Sequence, residues 1–174
     1  DREEVVKEIK KRLEDLNRRV REVVKKIDRE LEKLLEESKR VVDDLRRRLE
    51  ELKKRIKGDD AKRKVEEIVK EVEKILKRVI DDNKRLVDEL KRLLEEVIRR
   101  SETSVRRLED VLRREIQDER ELERLVKEVE KTNERLLDEL RKAAEEVAKR
   151  SEDTLRELRD IIKKVEERAT DIAR

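Results

Sequence analysis

Few kinds of side chain in this sequence could take part in chemistry. Carboxylates and cationic side chains are abundant, 50 Asp+Glu against 53 Lys+Arg, but there is no His and no Cys. The commonest general base and metal ligand is therefore missing, together with every thiolate nucleophile. Carboxylate clusters in helical bundles bind paired metal ions through inward-projecting Glu-x-x-His pairs, and these need histidine. The Asp and Glu residues also lie outside the apolar periodicity described below. A Ser-Lys dyad would require a lysine within that periodicity, and none is there. Gly58 is the one glycine, so no glycine-rich phosphate loop exists. The expectation is a chain with no catalytic, cofactor or metal residue, and not an enzyme.

A subtler chemistry remains, hydrogen bonding inside an apolar interior. Asn17, Ser38, Asn83, Ser101, Ser104, Asn133, Ser151 and Thr154 occupy positions where the apolar pattern demands a hydrocarbon, and Thr132 lies beside Asn133. A buried amide or hydroxyl costs a few kcal/mol when unpaired. Side chains of this kind favour the one register that pairs them and penalise the others. The competing view is that they are polar residues tolerated on helix flanks.

The elements that must position these residues follow from periodicity and punctuation. Apolar residues run from Val5 through Ile9, Leu13, Leu16 and Val20 to Leu49, Leu52 and Ile56 with a mean step of about 3.6 residues, which predicts a nearly straight helix. Lys53, Lys54, Arg55 and Lys57 suit its C-terminal dipole, Gly58 suits a left-handed C′ position, and Asp59 or Asp60 is expected to cap the next helix. A second stripe runs from Val65 to Ile116. The third resumes out of phase at Leu122, Leu125, Val126 and Val129 and continues to Ile172, placing a break near Gln117. Asp118 with Glu121 reads as a capping-box variant, as does Asp1 with Glu4. The expected helices span about 2–57, about 60–116 and about 119–173. Each is about 80 Å long at 1.5 Å per residue. Short connections make neighbours antiparallel, so the fold class is an all-α, up-down-up three-helix bundle in one domain of 174 residues. Pairs such as Glu8 with Arg12, Glu22 with Lys26 and Glu145 with Lys149 are spaced to support exposed faces.

Reversing the middle helix and measuring height from each midpoint brings the polar residues into two layers. Asn17, Ser101 and Asn133 each fall about 13 residues below centre, while Ser38, Asn83, Ser151 and Thr154 fall about 5 to 8 above, within about one turn. Ser104 lies one turn from Ser101. The expectation is two interior hydrogen-bond layers to which every helix contributes.

Composition bounds the partners. Charged residues make up 59% of the chain, with the two signs interleaved, and aromatic residues 0%. Disorder-promoting Pro is absent and the periodicity is strong, so helices are expected in place of disorder. The densest basic run, Arg46, Arg47 and Arg48, has acidic neighbours, and no aromatic is available to stack on bases, so no nucleic-acid partner is expected. No apolar run exceeds two residues, so neither a membrane span nor a signal-peptide core is expected. Zero cysteine leaves the compartment open.

Asp-started helices, the turn Lys57, Gly58, Asp59, Asp60, the Val/Ile/Leu/Ala stripes and the Glu/Lys/Arg surfaces make the whole chain resemble a de novo designed helical bundle with interior hydrogen-bond networks. Spectrin-type three-helix repeats are similar in topology but typically carry aromatic core residues, which are missing here. The resemblance implies a designed structural scaffold with no natural activity, no required partner and a monomeric state. The alternative is a designed interaction module that self-associates or accepts a further helix, since doublets such as Val23–Val24, Leu34–Leu35 and Val41–Val42 widen the apolar face.

Overall fold

A computed structural model describes residues 2–114 and 118–173, with the side chain of residue 173 excepted. Three helices account for nearly all of it: α1 (Arg2–Arg55), α2 (Asp59–Arg113) and α3 (Glu119–Ala173). They contact one another with no strand among the described residues, and the fold is an all-α three-helix bundle.

Helix direction can be read from ion pairs. Arg21 of α1 pairs with Glu102 of α2, and Asp28, two turns further along α1, pairs with Lys91, earlier along α2. Those helices are antiparallel. Ser38 and Arg48 of α1 meet Ser151 and Glu166 of α3 in the same order, at sequence separations of 113 and 118, so α1 and α3 run parallel.

The first connection departs from expectation in its cap. α1 ends at Arg55, and the buried Ile56 anchors the chain beyond it. Gly58 adopts φ 106, the left-handed conformation that costs glycine least. Its carbonyl accepts the N–H of Lys62 at 3.0 Å and so begins the ladder of α2. Gly58 itself therefore holds the N-cap position, and Asp59 and Asp60 lie within the first turn, where their charge complements the exposed N–H groups.

At the second connection α2 ends at Arg113, three residues before the expected limit. Its last turn tightens, the Arg114 N–H being shared between the carbonyls of Asp110 and Val111 at 3.3 and 3.2 Å. The expected core residue Ile116 and the expected break at Gln117 lie outside the described residues. Asp118 caps α3 as its type predicts, with Oδ1 accepting the N–H of Arg120 at 3.0 Å. The bond goes to the second residue of the helix and not to Glu121.

The chain divides into two compact units, each drawing on all three helices. Unit 1 comprises Asp1–Glu30 with Glu89–Glu145, and unit 2 comprises Leu31–Asp88 with Glu146–Arg174. Sequence length alone suggests one domain, but contacts along long helices form between residues at similar heights, and these sort into two sets. In unit 1, Ile9, Leu13 and Leu16 of α1 pack with Val105 and Leu108 of α2 and with Leu122 and Val126 of α3. In unit 2, Val42, Leu45 and Leu49 pack with Val65, Val69 and Leu76 and with Leu158 and Ile162. Each buried Leu or Ile contributes about 1.5–3 kcal/mol by leaving water.

Candidate functional site: the interior polar positions

The eight polar residues that interrupt the apolar stripes fall into two groups. Ser38, Asn83, Ser101, Asn133 and Ser151 are buried, between 1% and 6% exposed. Asn17, Ser104 and Thr154 are only half-buried, and Thr132 is exposed, which corrects the expectation that all eight lie inside. Their helical phase puts them on the shoulder of the stripe. Asn17 lines a surface groove with charged neighbours such as Glu14, Arg18 and Arg21.

The half-buried hydroxyls find partners on their own helix. Ser104 donates to the carbonyl of Arg100 at 3.0 Å, and Thr154 to that of Arg150 at 2.8 Å. This bond to the fourth preceding carbonyl satisfies the donor without any neighbouring helix. Thr103 and Thr170 do the same.

Unit 2 contains a polar contact between helices. Ser38 Oγ donates to the Leu34 carbonyl at 2.9 Å and lies 3.4 Å from Ser151 Oγ. A hydroxyl has one proton, and that of Ser38 is committed to Leu34, so Ser151 donates to Ser38. At 3.4 Å this bond is weak beside the usual 2.7–2.8 Å or so between hydroxyls. Asn83, in the same unit, has its Nδ2 buried with no hydrogen-bond partner among the described residues.

Unit 1 is different. Asn133 is 1% exposed and Ser101 2% exposed. Among the described residues, Asn133 Nδ2, Asn133 Oδ1 and Ser101 Oγ have no hydrogen-bond partner. Ion pairs within the unit place these residues at neighbouring heights. Arg12 reaches Glu123 and Glu130 at separations of 111 and 118, a range that brings Asn17 level with Asn133, while the pairing of Arg21 with Glu102 brings the following turn of α1 level with Ser101.

Charges outside the core are locally matched. Arg12, spaced to pair with Glu8 along its own helix, instead reaches α3, with Nε 3.0 Å from Glu130 Oε1 and Nη1 3.2 Å from Glu123 Oε1. Burial works against its charge, but the hydrogen bonds and charges of Glu123 and Glu130 outweigh it and hold the guanidinium above its ordinary pKa. In the basic run, Arg46 lies 3.9 Å from Asp43 and Arg48 3.0 Å from Glu166. Among the described residues no group of three or more acidic side chains is placed to hold a metal ion, and no helix is long and apolar enough to cross a membrane.

No family model matches the chain, and none of the curated proteins or solved structures compared with it is similar.

Proposed function

We propose that this chain is a structural scaffold of de novo design whose output is its own architecture, and that its interior polar residues specify the register of the three helices. The observation that carries this reading is the burial of five neutral polar side chains, Ser101 and Asn133 in unit 1 and Ser38, Asn83 and Ser151 in unit 2. Burial of such groups adds little stability, because hydrocarbon at the same positions would avoid the desolvation cost. Their use lies in discrimination, since a slipped helix strands them against aliphatic neighbours. Every large hydrophobic side chain among the described residues is buried or half-buried, which suits a chain complete in itself.

Light scattering over a wide concentration range tests the reading. The mass of one chain throughout is expected, and a mass that rises with concentration would replace the scaffold with a self-associating module. One feature favours that second reading. Half-buried Val111 of α2 and Leu125 and Val129 of α3 line a surface groove in unit 1, a strip of apolar surface that another helix would cover.

A further inference from the structure

We infer that the polar level of unit 1 is an internal water-binding site, in which water completes the hydrogen bonding of Asn133 and Ser101. The inference rests on the reading of these residues as interior register positions and adds what satisfies them. Three buried polar atoms require partners there. Asn133 Nδ2 offers donors, Asn133 Oδ1 requires donors, and Ser101 Oγ can act either way. A ligand for this set must be neutral, small, and both donor and acceptor. Ammonium only donates and a simple anion only accepts, and either would carry a charge into an apolar interior at high cost. Water fits, since buried waters typically make about three hydrogen bonds to otherwise unsatisfied polar groups.

The surroundings supply the remaining conditions. Ser101 and Asn133 are buried at neighbouring heights where the apolar stripe otherwise places Leu or Val, and the Ser101 side chain is smaller than either. Half-buried Asn17 of α1 lies level with Asn133 and borders a groove open to solvent. Unit 2 meets the same demand differently: its two buried serines use the Leu34 carbonyl and each other. An asparagine cannot follow them, because its amide carries two donors and an acceptor that no single carbonyl satisfies.

Water-selective NOE and ROE spectra of the full chain, labelled with nitrogen-15, read the site directly through the side-chain NH2 of Asn133. The expected result is a cross-peak to water whose sign reports an immobilised molecule, severalfold weaker in Ser101→Val, where two methyl groups stand in place of the hydroxyl and take up more than its space. If the parent's Asn133 NH2 shows cross-peaks to protein protons alone, or an unchanged water peak persists in Ser101→Val, the assignment is wrong. The parent spectrum decides even if the variant does not fold. The mass measurement above is independent of it, so a monomer lacking the water peak removes the hydration site and leaves the scaffold reading standing.

Discussion

The two units solve the same problem with different side chains. In unit 2 the buried polar group that bridges helices is a pair of hydroxyls, Ser38 and Ser151, and Ser38 also donates to the Leu34 carbonyl of its own helix. In unit 1 the buried polar residues are a hydroxyl and an amide, Ser101 and Asn133, neither with a hydrogen-bond partner among the described residues, and the amide's needs exceed what its own helix can supply. Polarity that turns back on its own helix adds little specificity, whereas polarity that cannot do so depends on what comes from outside the helix. The orphaned Asn83 Nδ2 shows that unit 2 also holds one demand of the second kind.

The harshest way to break the comparison is to truncate each core. Leu13→Ala in unit 1 and Leu76→Ala in unit 2 each remove a side chain at most 3% exposed and are expected to cost about 2–5 kcal/mol in urea unfolding. Hydrogen exchange sharpens the result: each substitution should weaken amide protection mainly in its own unit, and equal loss in both would mean that the chain unfolds as one block.

Next come the polar residues, where the buried amides and the hydrogen-bonded serine are expected to differ in sign. Asn83→Leu should leave the chain folded and raise stability by about 1–3 kcal/mol, the cost of a buried unpaired amide, while relaxing register or assembly state, and Asn133→Leu should gain less because water meets the needs of its amide. Ser38→Ala should lower stability by about 1 kcal/mol, because its hydrogen bonds are made. Unfolding of Asn83→Leu would contradict the view of these amides as specificity devices.

The connections answer more weakly. Gly58→Ala should cost about 1–2 kcal/mol in thermal unfolding, from backbone strain alone, because a Cβ at that position meets no atom within 4 Å. Asp118→Ala should cost about 1 kcal/mol by removing the cap of α3 in unit 1.

The smallest effect belongs to the cross-helix ion pairs. Arg12→Ala in unit 1 and Arg48→Ala in unit 2 should each cost about 1 kcal/mol or less, with the loss shrinking in high salt. A guanidinium whose pKa is raised on folding contributes its full stabilisation below the unfolded pKa and loses it only as pH rises through the folded one. For Arg12 that window lies above the ordinary arginine range, so titration of Arg12 itself should leave stability flat between neutral and moderately alkaline pH.

Much of the fold is legible in the sequence because its cause is periodic. Apolar residues from Val5 to Ile56 repeat at helical spacing, and Gly58 and Asp118 punctuate the stripes where the chain turns. The cap at Gly58 was less so: glycine at a helix end and aspartate at the next start are each plausible, and one residue here takes both roles through its φ and its carbonyl. At the polar positions, spacing locates Ser38, Asn83, Ser101, Asn133 and Ser151 in the interior but places Asn17, Ser104 and Thr154 there as well. A shift of a fraction of a turn moves a side chain from core to shoulder, and that rotation is decided by neighbouring helices. Nor does spacing reveal that Ser104 and Thr154 turn to their own backbones. The division into two units follows from pairwise contacts that no local pattern encodes.

The central claim, that buried polar residues hold the helices in one register, is tested most directly by electron spin resonance distances within unit 1. The chain has no cysteine, so labels introduced by Arg18→Cys and Arg106→Cys on exposed faces of α1 and α2 report only that pair. One narrow distance is predicted with the polar residues in place, and a broadened or split distribution once Ser101 and Asn133 are both replaced by leucine. An equally narrow, unshifted distribution in the replaced chain would show that hydrocarbon packing alone sets the register.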